Sequence, residues 1–183
     1  MGHKHSRQDI LDCAVAVATE EGLSRLSFGR VAKFAGTSDR VVVYYFPNKQ
    51  DMIGAVMQAI GGELQATLAG AVPERAKDHI ELCQAAWPTL SQPKSARAFA
   101  LFFEANGLAA TGIEPYATMI PQMISAWIDW VTQHLDGPPA QRQVEAECTV
   151  ALLDGLLLFR QTAGHQATMR VAKRLGFALP DAN

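Results

Sequence analysis

Cysteine is scarce in this chain. Only Cys13, Cys83 and Cys148 occur in 183 residues, and no two share a C-x-x-C spacing. That excludes a disulfide framework and argues against a zinc site, leaving the three as expected small core residues. No apolar run is long enough to cross a bilayer, and no signal-like segment opens the sequence. A reducing, cytoplasmic setting is the expectation. The histidines of the opening Met1-Gly2-His3-Lys4-His5 receive no metal-binding role. Alternating, strand-like patterning is nearly absent, with Val41-Val42-Val43 the short exception. An excess of positive charge is lacking as well. The formal net charge is −2, which excludes a protein that coats nucleic acid without selection. The charge is uneven, however. Residues 1–50 hold 7 basic and 5 acidic groups, and residues 51–183 hold 9 and 13. Paired catalytic carboxylates, phosphate loops and nucleophile elbows are also missing, so neither an enzyme nor a cofactor site is expected.

What is present is helical periodicity almost throughout. Ile10, Cys13, Ala14, Val17 and Ala18 form one stripe, closed by Gly22. Ser27 reads as an N-cap, with Leu26 and Val31 spaced for a hydrophobic staple. A short helix runs to about Ala35, Gly36 breaks it, and Ser38 opens a second short helix reaching Tyr44 or Tyr45. Pro47 stops that helix, and Asn48 caps a longer one with Asp51 at its third position. Beyond it, Pro73, Pro93, Pro115 and Pro138-Pro139 mark helix starts. The expected helices lie near 48–69, 73–90, 93–110, 115–135, 139–163 and 167–176. The fold class is all-α, with about nine helices.

Two short helices meeting at a glycine turn are the informative feature. Val31 and Ala32 on the first can pack against Val42 on the second, and small Ala32 and Ala35 permit close approach. This is the arrangement in which the second helix enters the major groove of duplex DNA and the first braces it.

Here the sequence resembles the TetR family of bacterial regulators. The resemblance rests on Ser27-x-x-x-Val31-Ala32-x-x-Ala35-Gly36-x-Ser38, on Tyr44-Tyr45-Phe46 and on Pro47-Asn48-Lys49-Gln50-Asp51-Met52. Ala14, Ala16 and Glu21-Gly22 in the preceding helix also fit. It covers residues 7 to about 55. Arg40 stands where the family often has glycine, and Val43 where it often has tyrosine. The resemblance implies a DNA-binding module over residues 1–50, with the helix-turn-helix proper at about 27–46, and an effector-binding and dimerisation domain over 51–183. It implies a homodimer on a double-stranded operator, released by a small molecule.

By position, Ser27, Phe28 and Gly29 bring free backbone N–H groups of the bracing helix to a phosphate. Ser38 opens the recognition helix. Asp39, Arg40, Val41 and Val43 face the groove, with Arg40 able to reach a guanine edge or a phosphate. Tyr44 contacts backbone or a thymine methyl, and Lys49 neutralises a phosphate. Val42 and Phe46 read as core, and Tyr45 is divided between core and phosphate.

In the remainder, Trp87, Phe99, Phe103, Tyr116, Met123 and Trp127 recur at helical spacing, with Glu104 and Asn106 as polar groups in an apolar helix. A filled core accounts for the aromatics residue by residue, whereas the resemblance implies an effector pocket among them. Glu104 and Asn106 must be hydrogen-bonded, solvated or ligand-binding. The segment 150–159 is apolar nearly all round, which suggests burial on two sides. Met169, Val171, Ala172 and Leu175 on the last helix would complete a four-helix dimer interface. Two competing readings are an all-α enzyme or lipophilic carrier, and a DNA-binding regulator without an effector.

Overall fold

The computed structural model describes residues 5–177. Among them are nine α-helices and one 3-10 turn: α1 (Arg7–Glu21), the 3-10 turn Leu23–Arg25, α2 (Phe28–Ala35), α3 (Asp39–Tyr45), α4 (Lys49–Ala69), α5 (His79–Leu90), α6 (Pro93–Ala110), α7 (Tyr116–Thr132), α8 (Pro139–Ala163) and α9 (His165–Arg174). The all-α expectation holds. Val41–Val43 lies within α3.

The contacts divide into two compact units. The first joins the residues up to Glu63 with Leu101–Ile120, and the second joins Leu64–Ala100 with the residues from Pro121 onward. Helices α4, α6 and α7 each run from one unit into the other along the chain.

In the first unit, α1 starts at a reciprocal capping box. Ser6 Oγ accepts from Asp9 N at 3.1 Å, and Asp9 Oδ2 accepts from Ser6 N at 2.7 Å. Ile10, Ala14, Val17 and Ala18 put one stripe of α1 fully inside, against Val31 and Ala32 of α2 and Val42 of α3 as core partners. Leu26 and Val31, the staple pair, are both inaccessible to solvent. Gly36 ends α2 in the left-handed region at φ 64°, and Thr37 N donates back to Ala32 O at 2.9 Å. Asn48 caps α4 through Asp51 N at 2.8 Å, and its amide also donates to the Asp51 carboxylate. The lower residues of α6 belong here too, with Leu101 and Ala105 buried alongside Tyr116 and Ile120.

In the second unit, Ala76, Leu82, Val131, Leu135 and Ala146 form a core cluster flanked by Val72, Ile128, Trp130 and Val150. Helix α5 begins at His79, not at the expected 73. Asp78 is its cap, accepting from Glu81 N at 2.9 Å. The preceding residues are used otherwise: Ala76 pairs with Leu135 in an isolated bridge, through Ala76 N to His134 O and Asp136 N to Ala76 O, both 2.8 Å. The same pairing ends α7 at Thr132, short of the expected 135. His79 adds a tie to α8. Glu145 Oε2 accepts from His79 N at 2.9 Å and lies 2.5 Å from its Nδ1, and these contacts hold the Glu145 carboxyl below its usual range.

The cysteines depart from the core expectation in one case. Cys83 is buried and Cys13 half-buried, whereas Cys148 is exposed on α8.

Candidate nucleic-acid interface

Helix α3 makes fewer than two full turns. At 3.6 residues per turn, Asp39, Arg40, Val43 and Tyr44 share one arc, and Val42 points away from it. The four are exposed and Val42 is fully buried, so the helix has one inward residue holding it and one continuous outward face. Tyr44 is 78% exposed, so its ring and hydroxyl are open to a partner. Val41 is half-buried at the edge of the arc. Arg40 is exposed and bears the one positive charge on this face, the group whose guanidinium fork suits a guanine edge or phosphate oxygens.

Ser38 is the N-cap of α3 with an extended backbone, but its hydroxyl makes no capping bond, which leaves it outward at the helix start. Asp39 lies beside the bracing helix. Its carboxylate oxygens are 3.5 and 3.9 Å from where a Cβ at Gly29 would stand. The acid therefore sits against the first turn of α2, where helix N–H groups favour negative charge. Ser27 caps α2, its hydroxyl accepting from Arg30 N at 3.4 Å. Phe28 is half-buried and Gly29 exposed. Arg30 is engaged in an ion pair with Glu21. Lys49 is exposed in the first turn of α4.

The divided reading of Tyr45 resolves inward: its hydroxyl donates to the backbone carbonyl of His5. Phe46 is core, as expected, and the Arg7 guanidinium lies over its ring at 4.9 Å. Sequence patterning did not mark Phe34, which is 51% exposed in the last turn of α2.

The residues named for an effector fall into both units. In the first, Phe103 is half-buried and its ring lies 5.4 Å from that of Phe102. Asn106 donates its amide to Phe102 O, one turn earlier in the same helix, at 2.8 Å. The Glu104 carboxylate accepts from Leu23 N and Ser24 N, both at 2.9 Å. Tyr116 is buried, and burial followed by the Glu104 charge pushes its hydroxyl pKa up. In the second, Trp87 and Phe99 are buried, and Met123 and Trp127 are half-buried. Trp87 packs against Phe177 at 6.0 Å, and its indole N–H has no hydrogen-bond partner among the described residues. Trp127 meets Trp130 edge-on at 5.6 Å.

Helix α8 carries an outward apolar line. Val144, Cys148, Ala151, Gly155, Leu158 and Phe159 are all exposed, at spacings of four and three, with Leu156 and Leu157 buried behind them. Val171 of α9 is exposed as well, but Ala172 is fully buried within its own chain and is thereby unavailable to a partner. Met169 and Leu175 are half-buried.

Residues 10–56 match the family described as bacterial regulatory proteins, tetR family. No curated protein sequence matches the chain. Among solved structures, the chain is similar to a transcriptional regulator from Rhodococcus sp., with 25% identity over 85% of this chain and 83% of that one, at a TM-score of 0.67. A TetR-family transcriptional regulator from Rhodococcus sp. gives 18% identity, 92% and 93% coverage and a TM-score of 0.71. The multidrug binding protein EbrR, complexed with proflavin, gives 22% identity, 92% and 98% coverage and a TM-score of 0.63. No helix among the described residues is long and apolar enough to cross a membrane.

Proposed function

We propose that this chain is a TetR-family transcriptional regulator that works as a homodimeric repressor, released from a palindromic operator by a small apolar or aromatic molecule. The observation that carries the DNA half is the outward arc of α3. Arg40, Val43 and Tyr44 are displayed together, and Val42 anchors the helix from behind. A side-chain row of this kind supplies base-edge contacts, while the N-terminus of α2 and Lys49 supply phosphate contacts that fix register. The functional division we adopt is a DNA-reading module over 1–50 and an effector and dimer domain over 51–183.

The dimer reading is supported by the α8 line. Leu158 is 46% and Val144 56% exposed on a helix that also buries its other face. Apolar surface of this regularity favours a second copy of the same helix, and twofold pairing is the commonest closed solution. A twofold dimer presents two recognition helices, so the half-sites should form an inverted repeat.

The effector reading rests on side-chain chemistry: Phe103 and Tyr116 in the first unit, and Trp87, Phe99, Met123 and Trp127 in the second, are aromatic or methionine side chains of the kind that line sites for apolar ligands. EbrR, of the same fold, has been crystallised with imidazole and with proflavin. The test is direct. The protein should select a palindromic site from random duplex DNA, as a dimer, with strong salt dependence. A panel of aromatic compounds is then screened for release of that site. Full-affinity binding of a monomer to a single half-site contradicts the dimer reading, and failure to select any sequence contradicts the DNA reading.

A further inference from the structure

Glu104 lies 81 positions after Leu23, on α6, yet its carboxylate belongs to the turn between α1 and α2. At Gly22 the chain leaves α1 with φ 90° and enters a single 3-10 turn. The first N–H groups of such a turn have no partner of their own. Glu104 provides both acceptors: Oε2 takes Leu23 N at 2.9 Å, and Oε1 takes Ser24 N at 2.9 Å. Two oxygens on two consecutive amides fix the carboxylate in position and plane. Gly22 is required twice over. Its φ suits glycine, and a Cβ there would stand 3.1 Å from Glu104 Oε2. On either side of the carboxylate, Leu101 and Ala105 are buried in the same unit, so apolar packing holds α6 where the acid can reach.

The turn held in this way leads directly to the bracing helix. Leu26 N closes onto Leu23 O at 3.1 Å, and Leu26 is fully buried. Ser27, the next residue, caps α2, and α2 contacts α3. Three residues therefore separate the Glu104 contact from the start of the helix that braces α3.

We propose that Glu104 is a positioning residue for DNA recognition, the link through which helix α6 sets the placement of the helix-turn-helix by way of the Gly22–Ser24 turn. The proposal rests on the DNA-binding reading above. It gives the carboxylate a different task from that of anchoring an effector, because both of its oxygens already accept backbone N–H groups.

The experiment compares the full-length wild type with E104A and with the near-isosteric E104Q. Two quantities are measured at a temperature where circular dichroism shows all three fully folded. One is amide exchange at Leu23 and Ser24. The other is affinity for a duplex selected by the wild type, set against a scrambled duplex of equal length. In E104A both amides should lose protection, and affinity for the selected duplex should fall about tenfold, with the scrambled duplex bound within about twofold of wild type. E104Q keeps one acceptor oxygen and should fall between. A purely structural role would lower the melting temperature and leave the ratio of the two affinities unchanged, which overturns the proposal, as does wild-type exchange at both amides. Should E104A fail to fold, E104Q alone decides on the same criteria. If the wild type selects no duplex, the underlying DNA-binding reading fails and the proposal with it, whereas unprotected amides in E104Q would still show the carboxylate holding the turn.

Discussion

Tyr44 and Tyr45 are adjacent, and their rings meet edge-on at 4.9 Å, yet they face opposite environments. Tyr44 is open to solvent and Tyr45 donates its hydroxyl to the His5 carbonyl. The consequences separate cleanly. Tyr45→Phe should lose about 1 kcal/mol of stability and keep operator affinity when folded. Tyr44→Ala should keep stability to within about 0.5 kcal/mol and weaken operator binding. Chemical denaturation alongside gel-shift titration checks both, and equal effects of the two substitutions on DNA affinity would contradict the assignment.

Arg40 and Lys49 should divide specific from nonspecific binding. If Arg40 reads a base, Arg40→Ala should cost about 1–3 kcal/mol on the operator and less on random duplex. Lys49→Ala should weaken all sequences alike and lower the salt slope by about one. Titrations at several salt concentrations separate the two, and two silent mutants would remove both contacts from the interface.

The α8 line makes a prediction about assembly. Leu158→Glu places a charge beside Gly155 and Phe159 in the apolar line and should leave the protein monomeric at micromolar concentration, with operator binding lost. Maleimide gives an independent reading. Cys148 stands in the same line, so it should label slowly in wild type and quickly in the variant. Cys83, buried and with its thiol pushed up to about 12, should stay unlabelled in both until unfolding. Rapid Cys148 labelling of the wild type at high concentration would move the interface elsewhere.

Asp154 on α8 predicts a pH dependence. Burial pushes its carboxyl up to about 6 from 3.8. The folded state then binds more protons at this group than the unfolded one between these values, so the contribution of Asp154 to stability is fully present below about pH 4 and is lost as pH rises through 6. The decline from this group is roughly 2–3 kcal/mol. Asp154→Asn should remove that slope and raise the melting temperature at pH 7–8. A melting temperature unchanged at pH 7.5 would place the carboxylate in a solvated position.

Most of the first unit was legible because its signals are local. Caps at Ser27 and Asn48, the break at Gly36 and the apolar stripe of α1 each operate within a few residues of sequence. The groove-facing residues of α3 were placed by position from the family resemblance, and Val41 among them is half-buried. The start of α5 was misjudged because Pro73 is a good helix opener, but Ala76 pairs with Leu135, a partner that spacing does not reveal. Glu104 shows the same limit: an acid in an apolar helix signals a need for partners, and nothing nearby in sequence points to Leu23 and Ser24. The inward bond of Tyr45 depends on His5, forty residues away, which helical spacing does not reveal. Cys148 was misplaced because a cysteine on an outward face has the same composition as one in a core.

The discontinuity of the first unit bears on how such regulators are recombined. Leu101–Ile120 completes the packing of the N-terminal helices, so the portable piece is not a continuous segment. A chimera exchanging residues 1–63 alone brings a foreign α1–α2 turn to Glu104 and a foreign core to Leu101 and Ala105. Grafting a new operator preference onto this scaffold therefore calls for changes confined to the outward arc of α3, with Gly22, Leu23 and their acid partner left as a set. A truncation ending within α4 likewise yields an incomplete body, so an early stop codon there should give a degradable fragment and not a free-standing operator competitor.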